Sequence, residues 1–230
     1  DLKDINYNIQ EKPTGEISAG AGYGTDGSTF SFGIRENNFN GQGIKLESNL
    51  DLREDSVKGI FSYTTPNFLY TDRSLKTSIQ STSTDKLKDY GYKSSLNKIL
   101  IGTRYEQFED VFFSPNLSLS DESIKTDSTA STAYKKQEGS YFDLIFDYGL
   151  SFDKRNSRFQ PSSGFVSKWY QSLPLVSDDT TIINGYQITG YKQIADDMVI
   201  STGFYSRAAN SLSNEDVRVS KRLFVPSSRL

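Results

Sequence analysis

The sequence predicts an all-β chain, a membrane-spanning antiparallel β-barrel of the outer membrane type. Three observations predict it. Apolar and polar residues alternate with period two along most of the 230 residues. Aromatics make up 13% (14 Tyr, 15 Phe) of a chain that is only 35% hydrophobic. No segment shows the 3.6-residue period of a helix, and none is expected to be helical. Alternating strands of about 9–11 residues are long enough to cross a bilayer at a tilt. In lipid only helices and closed barrels satisfy their own backbone.

The elements follow in order. Ile17, Ala19, Ala21 and Tyr23 share one face of the first run, and Glu16, Ser18, Gly20, Gly22 and Gly24 the other. Asp26-Gly27 then stands between two alternating runs, a hairpin signal. Phe30, Phe32 and Ile34 alternate with Ser31, Gly33 and Arg35. Ile44, Leu46, Leu50 and Leu52 alternate with Lys45, Glu47, Asn49 and Asp51. Val57, Phe61 and Tyr63 follow, with Ile60 out of step, and then Leu75, Thr77 and Ile79. Ile99, Ile101, Thr103 and Tyr105 form the next stripe, then Val111, Phe113, Leu117 and Leu119. The clearest run sets Phe142, Leu144, Phe146, Tyr148, Leu150 and Phe152 against Asp143, Asp147, Gly149 and Ser151. Runs at about 164–176, 181–195 and 197–207 bring the total to about eleven strands.

The apolar stripes are expected to face lipid and the charged ones a water-filled lumen. Tyr23, Tyr63, Tyr105, Tyr148 and Tyr170 suit interfacial girdles. Asp143 reads as an ordinary lumenal carboxylate, cheap to neutralise. The connectors alternate in kind. Those at 37–43, 65–73, 107–110 and 154–164 fall on the side where the chain enters, by strand parity. Those at 25–27, 83–90 and 125–138 fall on the opposite side. A soluble sandwich would also alternate. Its strands usually run ~5–6 residues, however, and these are longer.

Composition removes whole classes of chemistry. With no His and no Cys there is no zinc finger, no cysteine nucleophile, no His-based triad and no disulfide. A net charge of −3 argues against a nucleic-acid binder. No apolar run exceeds three residues, so no transmembrane helix is expected. The opening at Asp1 reads as a fragment or a mature segment. The glycine-rich Gly20 to Gly24 is no phosphate loop, since no helix follows it. Asp153, Lys154, Arg155 and Arg158 read as an ion network at the lumen rim. Asp178-Asp179 and Asp196-Asp197 lack calcium-loop spacing and read as loop charges. No metal, no cofactor and no enzymatic constellation is expected.

Four segments carry a family resemblance. EKPTG (Glu11 to Gly15) leads into EISAGAGYG, and NNFNGQG (Asn37 to Gly43) follows the second run. TTPNFLYTDR (Thr64 to Arg73) and GLSFDKRNSRFQPSSGF (Gly149 to Phe165) come later in the same order. Together they resemble the barrel of the BamA family of outer membrane assembly factors, in the BamA/TpsB superfamily. The resemblance covers essentially the whole chain. Asn156 stands where the family more often has Asp, and Pro226-Ser227 where Gly-Gly is usual.

The resemblance implies a barrel of about sixteen strands, of which about eleven lie here. Residues 1–13 would end the last periplasmic POTRA domain, and 14–230 would begin the barrel. Leu230 would lie in the sixth outer loop, just before the family's Arg-Gly-Phe. Glu16, Ile17, Ser18, Ala19, Gly20, Ala21, Gly22, Tyr23 and Gly24 would form the lateral-gate strand. Asn37, Asn38, Phe39, Gly41, Gly43, Pro66, Asn67, Phe68, Asp153, Arg155, Pro161 and Gly164 would mark periplasmic turns. The implied function is folding and insertion of other β-barrels in a Gram-negative outer membrane. The implied partners are unfolded barrel clients, accessory lipoproteins and outer membrane lipids. A two-partner-secretion pore is the alternative on the same architecture. A soluble binding module would differ from both in needing no detergent.

Overall fold

The computed structural model describes residues 12–24, 27–213 and 216–223. Eleven strands form a single sheet in sequence order, each antiparallel to the next. They are β1 (Gly15–Gly24), β2 (Gly27–Phe39), β3 (Ile44–Arg53), β4 (Ser56–Thr65), β5 (Ser74–Lys86) and β6 (Tyr92–Phe108). Then come β7 (Val111–Thr126), β8 (Gly139–Asp153), β9 (Ser163–Ser177), β10 (Thr181–Ala195) and β11 (Met198–Ser211). Every connection is to the next strand, the topology of an up-and-down barrel wall. Connections after even-numbered strands share one end with residues 12–14, here the entry end. Those after odd-numbered strands lie at the far end.

The period-two stripes become the two faces of this sheet. Across β7 to β9 the charged face is the covered one. Asp143 is 3% exposed and Asp147 6%, whereas their neighbour Phe142 is 48% exposed. Phe30, Phe32, Ile34, Phe61, Ile79, Ile99, Ile101, Leu117 and Leu119 are also exposed on the opposite face. A water-soluble sheet buries its apolar side. This one does the reverse, as a wall with lipid outside and a polar lumen inside must. Ile60 pairs with Asn49 and so falls on the lumenal face.

Several expectations are revised. Short helical turns occur at α1 (Leu87–Tyr90) and α2 (Thr132–Lys135), with 3-10 turns at Phe68–Tyr70 and Val219–Lys221. Each is a single turn, below the length at which a hydrophobic period can register. The strands also exceed 9–11 residues, β6 reaching 17 and β7 16. The far-end connectors are correspondingly shorter, because residues 83–86 continue β5 and 125–126 continue β7. Their outward side chains there are Ser, Asp and Lys, so a ladder persists where the apolar stripe has stopped. At the entry end Asn37, Asn38 and Phe39 still belong to β2, as 107–108 belong to β6.

Candidate functional site

Three regions carry the chemistry that the chain offers. The first is β1, at one edge of the sheet. It pairs with β2 over its full length, from Gly15↔Glu36 to Gly24↔Gly27, and all ten residues are exposed. Its outward pairs are Ile17↔Ile34, Ala19↔Phe32 and Ala21↔Phe30. Its lumenal pairs begin with Glu16↔Arg35 and Ser18↔Gly33, then become Gly20↔Ser31 and Gly22↔Thr29. Gly20, Gly22 and Gly24 have nothing within 4 Å of where a β-carbon would stand. Cross-strand side-chain pairs are the unit of sheet stabilisation, and glycine supplies none. Thr25 and Asp26, the expected turn, lie outside the described residues.

The second region is the set of entry-end turns. The β2–β3 connection places Gly41 and Gly43 at φ 71° and 67°, the left-handed region. Asn38 Oδ1 accepts the Gly43 N–H at 2.7 Å and holds the turn shut. Pro66 and Asn67 lead into the 3-10 turn that begins at Phe68. Asp153, expected in the β8–β9 turn, is the last residue of β8 and receives a two-pronged bond from Arg155 in that turn, with Nε and Nη2 each at 2.7 Å. Lys154 pairs with Asp110 across the neighbouring turn. Arg158 instead stacks over Phe112, 5.1 Å from the ring centroid, with Arg104 4.9 Å from the same ring. The expected rim network is therefore part ionic and part cation–π. Pro161 lies in the turn and Gly164 at the start of β9. Gly164 has φ 89°, and an added β-carbon would lie 2.0 Å from the Lys154 carbonyl oxygen.

The third region was not foreseen from sequence. Residues 216–223, after β11, bring Arg218 against the lumenal wall at the far end, 2% exposed. Its Nη1 donates to Asp143 Oδ2 at 2.9 Å and Glu122 Oε2 at 3.2 Å. Its Nε lies 3.6 Å from Asp179 Oδ2. Lys221 Nζ reaches Asp143 and Asp179 at 3.3 and 3.4 Å. Ser220 Oγ donates to Glu122 at 2.7 Å, and the Val219 N–H to Gln137 Oε1 at 2.8 Å. The Arg218 guanidinium also covers the Tyr141 ring at 4.0 Å. Burial would lower the Arg218 pKa, but the Asp143 and Glu122 carboxylates outweigh it and raise it. Asp143 is thus no ordinary lumenal carboxylate, and Asp179 is no free loop charge. Asp178 accepts the Phe142 N–H at 3.2 Å. The only available signal was Arg218 standing between two valines, which gives no hint of partners about 40 to 100 residues away. No acidic group among the described residues has the geometry of a metal site.

Comparison with known proteins fits this architecture. Residues 38–225 match the Omp85 superfamily domain. The chain belongs to the Omp85 superfamily. Among solved structures it is similar to the crystal structure of BamA from Haemophilus ducreyi lacking POTRA domains 1–3, with a TM-score of 0.77. The two share 23% identity over 93% of this chain, and the match spans 44% of that structure's chain. At that identity the likeness shows the fold, an outer membrane β-barrel of the BamA kind, of which these eleven strands are a part. Omp85 membership together with this fold places the chain in the bacterial outer membrane. Asp1 to Glu11, expected to end a POTRA domain, lie outside the described residues, as do Phe224 to Leu230.

Proposed function

We propose that the chain belongs to an assembly factor that folds and inserts other β-barrel proteins into the outer membrane. It would use neither ATP nor covalent chemistry. The strand Glu16 to Gly24 is the templating edge. The observation that carries this reading is how little holds β1: from Ala19 to Gly22 it presents no side-chain atom past a β-carbon. Unpaired backbone groups are costly in lipid, so an edge strand that yields easily can offer its ladder to an incoming strand. The clients are unfolded outer membrane barrels, with accessory lipoproteins and outer membrane lipids as further partners. The N-terminus and the entry-end turns, including Asn37, Pro66, Asp153 and Gly164, face the periplasm in this reading.

The test is a lock on the seam. In the intact protein, reconstituted in liposomes, a cysteine at Ser18 is paired with one in the strand that closes the barrel. Oxidation is expected to stop client insertion and reduction to restore it. Normal insertion with the seam fully cross-linked would refute lateral templating and favour the secretion-pore reading.

A further inference from the structure

The two halves of β1 are held differently, and the difference has a direction. At the entry end Thr14 Oγ1 donates to Glu36, and the Asn37 side-chain amide donates to the Thr14 carbonyl at 3.2 Å. Glu36 Oε1 also accepts the Asn38 N–H at 2.7 Å, tying the same carboxylate to the β2–β3 turn. One register step on, Arg35 stands between Glu16 of β1 at 3.8 Å and Glu47 of β3 at 2.7 Å. Ser18 Oγ leans over Gly33 and donates to its carbonyl at 3.5 Å. On the outward face Ile17 meets Ile34. Beyond Ser18 nothing comparable holds β1 among the described residues. The lumenal positions are Gly20, Gly22 and Gly24, the outward ones Ala19 and Ala21, and Tyr23 is opposite Ser28.

The backbone ladder runs the whole strand, so only side chains distinguish the halves. Cross-strand pairs add stability at one end. Three glycines, each losing more backbone freedom on ordering than any other residue, subtract it at the other. We infer that β1 is hinged at its entry end by the Glu16–Arg35–Glu47 bridge and the Thr14–Glu36 contact, and that it departs from the sheet starting at Gly24. Arg35 is a positioning residue: it spans three strands and fixes where β1 pivots. The strand would meet its partner with the far half free and the entry half registered. This rests on the proposed role of β1 as a templating edge.

Residue-resolved amide exchange on the intact protein in lipid nanodiscs, with no client present, tests the hinge. Ladder amides of residues 20–24 are expected to exchange at least about tenfold faster than those of residues 16–18, since local opening free energy sets protection. Arg35→Met is expected to shrink that step by speeding residues 16–18, while β4 and β5 stay as protected as before. Arg35→Lys is expected to restore most of it. Glu16→Gln, a milder change at an exposed position, should give the same loss in smaller measure should Arg35→Met fail to fold. A flat profile along β1 in the wild type overturns the hinge, as does an Arg35→Met profile unchanged at residues 16–18. The readout needs no insertion activity. A step in exchange together with normal insertion under a locked seam would sink the templating role and leave the hinge. The converse result would sink the hinge alone.

Discussion

Replacing Arg218 by Met tests whether residues 216–223 are fastened inside the barrel by charge. The substitution keeps an unbranched, flexible side chain and removes the guanidinium. Glu122 then loses the ion pair it makes with Arg218, while Asp143 and Asp179 are left with Lys221. Breaking a buried pair from one side costs about 3–5 kcal/mol, because the partner stays buried and unpaired. Here the strained carboxylates are relieved most cheaply if the segment leaves and water enters. The segment should therefore detach before the sheet unfolds. A change of 3 kcal/mol is a little over two factors of ten. Trypsin cutting after Lys221 or Arg222 in the reconstituted intact protein should accelerate by about two orders of magnitude while the strands stay uncut. Unchanged cleavage in the variant would refute the argument, and so would cleavage spread equally over all loops.

Other predictions follow from the same geometry. Leu144→Arg puts a charge on the lipid face and should cost ~2–4 kcal/mol, read from folding into liposomes. Asp51→Asn, on the lumenal face beside Ser31 at 2.7 Å, should cost far less. Asp143→Asn, which the sequence alone would pair with Leu144→Arg as the cheap control, should instead resemble Arg218→Met in exposing residues 216–223. Gly164→Ala meets both a positive φ and the Lys154 carbonyl, and should lower thermal stability by about 1–3 kcal/mol. For Asp55, between β3 and β4, burial pushes its pKa up, but the bond and charge from Lys86 prevail and hold it low. A lowered folded pKa means the pair's contribution is whole above the ordinary carboxylate range near ~3.9 and is lost as pH falls through the folded value. Acid melting curves of Asp55→Asn should converge with wild type below that range and separate above it.

Much of the fold was legible because a barrel wall has one dominant signal. Lipid outside and water inside force strict alternation, and nothing else in the chain competes with it. Phe142 to Phe152 showed both faces at once. The strand ends were harder, since the ladder at Asp85, Lys93 and Lys125 continues past the apolar stripe and only backbone pairing reveals it. Pro115 and Pro174 sit inside β7 and β9, where a missing N–H would argue against a strand. The sheet accommodates Pro174 with a bulge at Leu144/Ile145, and Pro115 with a break in the β6–β7 pairing between Gly102 and Tyr105. At the candidate site, the turns and the edge strand could be read because each is local in sequence. The Arg218 cluster could not, because it joins residues on β7, on β8, in the β9–β10 loop and after β11, and single-sequence periodicity carries no information about such distances.

The sheet is therefore uneven by construction. β6 to β10 are 15–17 residues long, and Arg218 ties β7 and β8 to the β9–β10 loop. β1 has ten residues, and beyond Ser18 five of them are Gly or Ala, with no side-chain atom past a β-carbon. Opening a wall in lipid means breaking one ladder along its full length, with each freed N–H and C=O left costly until a new partner takes it. The cost rises with strand length and with every side-chain pair that must part. Among the ten-residue strands β1, β3 and β4, β1 has the fewest side-chain pairs to part. In the proposed function this unevenness is what favours templating by β1 over a pore, since a conduit needs no weak strand but an insertase does.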